Sequence, residues 1–595
     1  MKYILLFFAV FTLAFSQSSQ AAPFRFLPTT LTQPDGTVLS LYASGDEYYH
    51  WVHDTNGYTV LQASDGYFYY AKKKSDGKLI PSDIKVGKEI PSENQEITKW
   101  LKIEENEYLE KRERMGSLIS AEPLLKKNTL RTTSSNNLDT LQNIVIYISF
   151  PDALDFINPR SYYNQRLNDE NRQSLKNYYL EASYNKFVIH STNFPYSATE
   201  ESLSYTADNS RGYYREYNAT TNPIGYQGED QRAGREQNLL ANSISALKTS
   251  IESHFTAEQL DMNNDGLVDN ICFIIQGNSD GWSSLLWAHR WSLTMYDIYL
   301  HDKKVLDFVF QPENQMQVRT LCHEMFHALG APDLYHYSSD PKISALVPVG
   351  EWDIMESGNG HMSSYLKYKY GNFIEEIPEI KVAGTYSLKP LISGKDNVCY
   401  KVASTNPNEF YVIEYRKKEG LYENSLPGSG LLVYRINTRY SGNAYGPPDG
   451  VYLYRPNGTL TENGFPAQAY YTSDVQRASI GGTVSLLTTF LSDGSDGELR
   501  IRNVSSAGET ISFDLTRLVV TGKADIAPEN NFLVHSKDGL LTISQLYTGA
   551  LVNIYNSVGS LVYSKYSKDE TMQIALPRKN FYLVKVDSAT KKVIH

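Results

Sequence analysis

His323 and Glu324, followed by His327, form an H-E-x-x-H run, and no other feature restricts this chain so tightly. Residues four apart share one face of an α-helix, so both imidazoles can reach a single metal ion. Leu321, Met325, Phe326 and Leu329 can anchor such a helix in a core while the histidines face a cleft. Glu324, beside the first histidine, is placed to act as a base on water rather than as a ligand. A catalytic zinc takes three protein ligands and keeps one position open, and a third donor lies close by. Gly330 can end the helix in a left-handed conformation. Pro332 prevents the helix from continuing, and the returning chain presents Asp333.

The full spacing, H-E-x-x-H-x-x-G-x-x-D, is the metzincin arrangement with aspartate in place of the third histidine. Met355, within Trp352-Asp353-Ile354-Met355-Glu356-Ser357-Gly358, is the candidate Met-turn. His-Glu-x-x-His-x-x-Gly-x-Pro-Asp-Leu-Tyr followed by Trp-Asp-Ile-Met-Glu-Ser-Gly resembles the immune inhibitor A family of secreted metallopeptidases. Residues 174–184, Trp287-Ala288-His289-Arg290-Trp291, Glu414-Tyr415-Arg416 and residues 426–430 extend the resemblance over roughly residues 30–516. At matching positions it implies His323, His327 and Asp333 as zinc ligands, Glu324 as general base and Met355 as Met-turn. It also implies a mostly parallel sheet with two helices ahead of the motif. His289 is left between cleft lining and a structural role.

The expected reaction is hydrolysis of peptide bonds in protein or peptide substrates. Some metzincins carry a tyrosine two residues beyond the Met-turn methionine. Here that position is Ser357, which leaves Tyr335 as the candidate oxyanion donor. Two alternatives stand beside this reading. One is a gluzincin-like peptidase whose third ligand is Glu351 or Glu356. The other is a non-catalytic surface adhesin on a peptidase fold.

At 595 residues the chain is too long for one hydrophobic core. Its net charge of -11 gives no footprint for nucleic acid. Lys2, an apolar run over residues 4–15 and the small-x-small triplet Ser19-Gln20-Ala21 read as a secretory signal peptide, residues 1–21. Cys272, Cys322 and Cys399 are too few and odd in number for a disulfide framework. Cys322 is expected to be a buried thiol.

The expected fold is multidomain. A β-rich pro-domain with its linker (residues 22–137) precedes an α/β metzincin-like catalytic domain (138–375), a β-sandwich (376–517) and a small all-β C-terminal domain (518–595). Asp35-Gly36, Asn56-Gly57, Asp65-Gly66 and Asp76-Gly77 mark hairpin turns in the first. Lys126, Lys127 and Arg131 lie in a stretch without periodicity, the expected site of activating cleavage of a zymogen. Asp261, Asn263, Asp265 and Asp269 surround Gly266 like the first half of a calcium loop, although Cys272 stands where a bidentate glutamate belongs. The expected cofactors are therefore Zn2+ and, at that loop, Ca2+. The C-terminal strands resemble the sorting domain of type IX secretion substrates, departing at Arg578-Lys579-Asn580, where Lys-Gly is common. That resemblance implies recognition by secretion machinery and passage through a Gram-negative outer membrane to the surface or medium; the chain is separately expected to be a monomer.

Overall fold

Four hairpin turns near the N-terminus show how directly sequence becomes structure. In each, a glycine N–H donates three residues back, to Gln33, Asp54, Ala63 or Lys74, closing a tight loop at 2.9–3.2 Å. Gly36, Gly57, Gly66 and Gly77 all sit at positive φ, between 84 and 91°, the conformation that a type I turn with a bulge requires of its third residue. The strands they join form an antiparallel meander of six, Phe24–Thr32 to Leu79–Lys85, paired in chain order. Helix Glu105–Ile119 follows.

The computed structural model describes residues 24–46, 48–92, 96–119, 139–153, 156–199, 201–277, 288–481 and 489–517. Beyond these it describes 532–537, 540–544, 546, 551–556, 561–577, 581–586 and 589–594. The expected signal peptide and the expected cleavage region, residues 126–131, lie outside the described residues. The protein is multidomain and β-rich, and it divides into two units, Met1–Leu518 and Val519–His595. Among the described residues no helix is long and apolar enough to cross a membrane.

The central sheet of the first unit runs in the order His289–Ser292, Asp307–Pro312, Asn270–Ile275, Asp139–Ser149, Phe187–Phe194. All neighbours are parallel except the edge strand His289–Ser292. Side chains alternate faces along a strand, and both faces are covered. Ile271, Phe273 and Ile275 pack with Leu240, Ile244 and Ile251 of the long helix Glu229–His254. Cys272, Ile274 and Val309 face the other way, onto Leu321, Cys322, Met325 and Phe326 of helix Val318–Ala328. Helix Leu175–Ala182 lies on that same side, capped by Ser174 and tied to the motif helix by Tyr179 Oη donating to the Cys322 carbonyl at 2.7 Å.

Residues 376–517 form two small sheets, one of three strands and one of four. Strands Glu409–Arg416 and Gly430–Asn437 are buried on both faces. Tyr411, Ile413, Tyr415, Leu431 and Val433 fill the space between the two sheets. Val412, Leu432, Tyr434 and Ile436 belong instead to the core that holds the motif helix. One hydrophobic core thus crosses the boundary placed at 375/376 from sequence.

The second unit has sheets of three and four strands around Leu541, Ile543, Val552, Ile554, Ile574 and Val584. Strands Leu533–Lys537, Leu540–Ser544 and Ala589–Ile594 add to the four legible in sequence.

Candidate metal centre

Helix Val318–Ala328 ends in a Schellman motif. The Gly330 N–H donates to the His327 carbonyl at 2.8 Å and the Ala331 N–H to Phe326 at 3.1 Å. Gly330 has φ +94°, and a Cβ at this position would meet nothing within 4 Å, so its backbone conformation alone demands glycine. The chain then reverses, and Asp333 arrives opposite the two histidines.

Asp333 Oδ1 lies 3.1 Å from His323 Nε2 and 3.3 Å from His327 Nε2. The two Nε2 atoms are 3.1 Å apart. His323 and Asp333 are buried, while the His327 side chain is 17% exposed, so the cluster opens to solvent beside His327. Each ring is oriented from behind: His323 Nδ1 meets the Ile354 carbonyl and His327 Nδ1 the Ala331 carbonyl, both at 2.8 Å. A carbonyl can only accept, so each Nδ1 carries a proton, and each Nε2 is turned towards the other and towards Asp333.

Two imidazole Nε2 atoms and a carboxylate oxygen converging in a buried place are a group that could hold a cation. Among the described residues this is the one group of three or more His, Cys, Asp and Glu donors whose ligand atoms lie within 4.8 Å of one another. A tetrahedral zinc with bonds of about 2.0–2.1 Å has ligand–ligand edges of about 3.3 Å, so the donors fit that ion. Burial opposes a charge on His327, yet Asp333 and Glu324 outweigh it and raise its pKa to about 9. Burial likewise pushes Asp333 up, but His327 and His323 hold it well below the usual carboxylate range.

Glu324 is 2% exposed, and its Oε1 accepts no hydrogen bond from the described residues. It bears on His327, and after burial it contributes to raising the Cys272 thiol to about 12. Met355 is fully buried, and its carbonyl accepts from the Leu334 N–H at 2.9 Å, next to the third ligand. Asp353 shapes the same loop through the Met355 and Ser363 N–H groups.

Other expected residues lie elsewhere. Glu351 is exposed. Glu356 Oε2 takes the N–H groups of Val349 and Gly350 at 2.7 and 2.6 Å. Neither joins the cluster. His289 is buried, 3.2 Å from Glu236, and stacks on Phe310, which makes it structural. Tyr335 packs edge-on against Tyr337. The Tyr337 hydroxyl donates to Asp333 Oδ2. Tyr337 was not among the residues expected from sequence, although it lies only two residues beyond Tyr335, where the motif ends.

In the candidate calcium loop the acidic side chains have partners within the chain. Asp261 accepts from the Asp265 and Gly266 N–H groups and pairs with Lys303 Nζ at 3.0 Å. Asp269 accepts from the Met262 N–H, and Asn263 donates to Asp265.

The N-terminal segment reaches the loop that follows Asp333. Glu105 Oε2 accepts from Ser338 Oγ, Ser339 N, Ser339 Oγ and Asp340 N at 2.7–2.9 Å. Lys102 donates to Ser344 at 3.1 Å, Arg112 to the Tyr337 carbonyl at 3.4 Å. Asp46, His53 and Asp54 are engaged within the meander and its helix.

No family model matches the chain, and no curated protein matches it. Among solved structures, wild-type OgpA from Akkermansia muciniphila is 10% identical, with 78% of this chain and 96% of that chain covered and a TM-score of 0.18. Catalytically inactive OgpA in complex with an O-glycopeptide substrate, glycodrosocin, is 11% identical, covering 54% and 90%, with a TM-score of 0.21. At those TM-scores neither likeness bears on the fold or the site of this chain.

Proposed function

We propose that this chain is a zinc-dependent endopeptidase of metzincin type, made as a less active precursor and exported. The observation that carries the reading is the convergence of His323, His327 and Asp333, with the Glu324 carboxylate buried beside them. Two imidazoles and a carboxylate also suit ferrous iron. Glu324 supports hydrolysis, because a general base next to the ligands is what attack by water requires.

Zinc held by these three residues would polarise a scissile carbonyl and lower the pKa of water towards neutral. Glu324 takes the proton from the attacking water and returns it to the leaving amine. The carbonyls of Ile354 and Ala331 keep both histidines in the tautomer that leaves Nε2 free. The gluzincin-like alternative loses its nearest ligand, since Glu356 holds two backbone N–H groups.

The contacts of Glu105, Lys102 and Arg112 on residues 337–344 support the precursor reading, because they brace the chain just beyond the third ligand. Export and surface sorting rest on the N-terminal apolar run and the C-terminal strands, and a chain ending at Leu518 should stay behind in the periplasm. The peptidase reading is tested by casein hydrolysis with and without a chelator. Loss of hydrolysis on chelation and return with zinc is the expected result. Hydrolysis unaffected by metal removal, or none by the cleaved protein with zinc, refutes it.

A further inference from the structure

Asp333 presents its two oxygens to different partners. Oδ1 faces both histidine Nε2 atoms, at 3.1 and 3.3 Å. Oδ2 accepts the Tyr337 hydroxyl. A carboxylate left to rotate can offer either oxygen or both to a cation, and a donor on one oxygen removes that freedom. Ligating carboxylates are commonly fixed in this way, and loss of such a partner weakens metal binding about 10–100-fold.

Tyr337 is itself held on several sides. Its N–H donates to the Ala444 carbonyl at 3.0 Å. Its ring lies edge-on to Tyr335 and to Tyr48, each at 5.2 Å between centroids. The Arg112 guanidinium lies 5.6 Å from the ring centre, and its Nη1 donates to the Tyr337 carbonyl. Such a ring has little freedom, so its hydroxyl is a fixed donor.

We propose that Tyr337 is a positioning residue for Asp333, its hydroxyl selecting the oxygen that faces the two histidines. The inference rests on the metal-centre reading above. Because Tyr48 and Arg112 belong to the N-terminal segment, that segment bears on the third ligand through this one side chain.

The test is Tyr337→Phe in the full chain, which keeps the ring and removes only the hydroxyl. Zinc affinity is measured by competition with a chelator, melting temperature on the metal-free proteins, and the visible spectrum after cobalt loading. The expected result is zinc bound about 10–100-fold more weakly, metal-free melting temperatures that coincide, and a cobalt spectrum changed from wild type. Unchanged zinc affinity in Tyr337→Phe overturns the proposal. So does a lower metal-free melting temperature with zinc affinity intact, which makes the hydroxyl a packing contact. A wild-type chain that binds no zinc fails at the metal-centre reading instead, and this inference falls with it.

Discussion

His323 Nδ1 donates to the Ile354 carbonyl across 2.8 Å, joining the motif helix to the loop that carries Met355. The next carbonyl in that loop, of Met355, accepts the Leu334 N–H at 2.9 Å. One loop therefore orients the first ligand and fixes the chain beside the third. The loop is held in turn by Arg416, which reaches over from the following sheet to the carbonyls of Trp352 and His361 at 2.9 and 3.1 Å. Arg416 is fully buried and also pairs with Glu414 and Glu423.

Arg416→Met should therefore be severe. It leaves two buried carboxylates without their cation, and breaking a buried pair from one side costs about 3–5 kcal/mol. Urea unfolding measures this directly. A loss below about 0.5 kcal/mol, the range of ordinary surface substitutions, would show that the ion cluster does not support the loop. By the same argument a chain ending at 375 should not unfold cooperatively, since Val412, Leu432 and Tyr434 complete its core.

Ligand identity separates Asp333 from Glu356. Asp333→Ala should lose bound zinc, because two histidines alone make a weak site. Glu356→Ala should keep zinc while lowering stability by about 1–3 kcal/mol, as the Val349 and Gly350 N–H groups lose their acceptor. Zinc content by elemental analysis checks both, and the reverse pattern would restore the gluzincin-like ligand set.

Much of this was legible in sequence because it is local. The Gly36, Gly57, Gly66 and Gly77 turns, the Ser174 cap and the Gly330 helix stop each depend on a few adjacent residues. The spacing of His323, His327 and Asp333 is local too. What escaped the sequence is long-range. Arg416 meets Trp352 and His361 across more than fifty positions. Lys303 meets Asp261 with strands Asn270–Ile275, His289–Ser292 and Tyr299–Leu300 between them in the chain. The cut at 375/376 followed a change in strand pattern, but strand Glu409–Arg416 has two buried faces, and only one belongs to the sandwich.

The loop around Gly266 should be indifferent to calcium. A ligand stabilises a fold only by binding it, and Lys303 with the backbone donors already satisfies Asp261. Thermal unfolding with added calcium and after its removal should give the same Tm. A rise of several degrees with calcium would mean that the carboxylates exchange Lys303 for the ion.

Precursor latency is tested through Glu105. Glu105→Ala removes the acceptor of four hydrogen bonds to residues 338–340, so in the uncut chain casein hydrolysis should rise towards that of a form starting at Asp139. If uncut wild type, uncut Glu105→Ala and the shortened form have equal specific activity, the N-terminal segment does not restrain the site.

The central claim is that Glu324 is the base beside a zinc held by His323, His327 and Asp333. It is tested most directly by measuring bound zinc and casein cleavage on the same samples of wild type and Glu324→Gln. Both should hold one zinc per chain, and only wild type should turn over at full rate, the variant falling by about 10²-fold or more. Comparable cleavage by zinc-loaded Glu324→Gln, or cleavage by wild type stripped of metal, would contradict it.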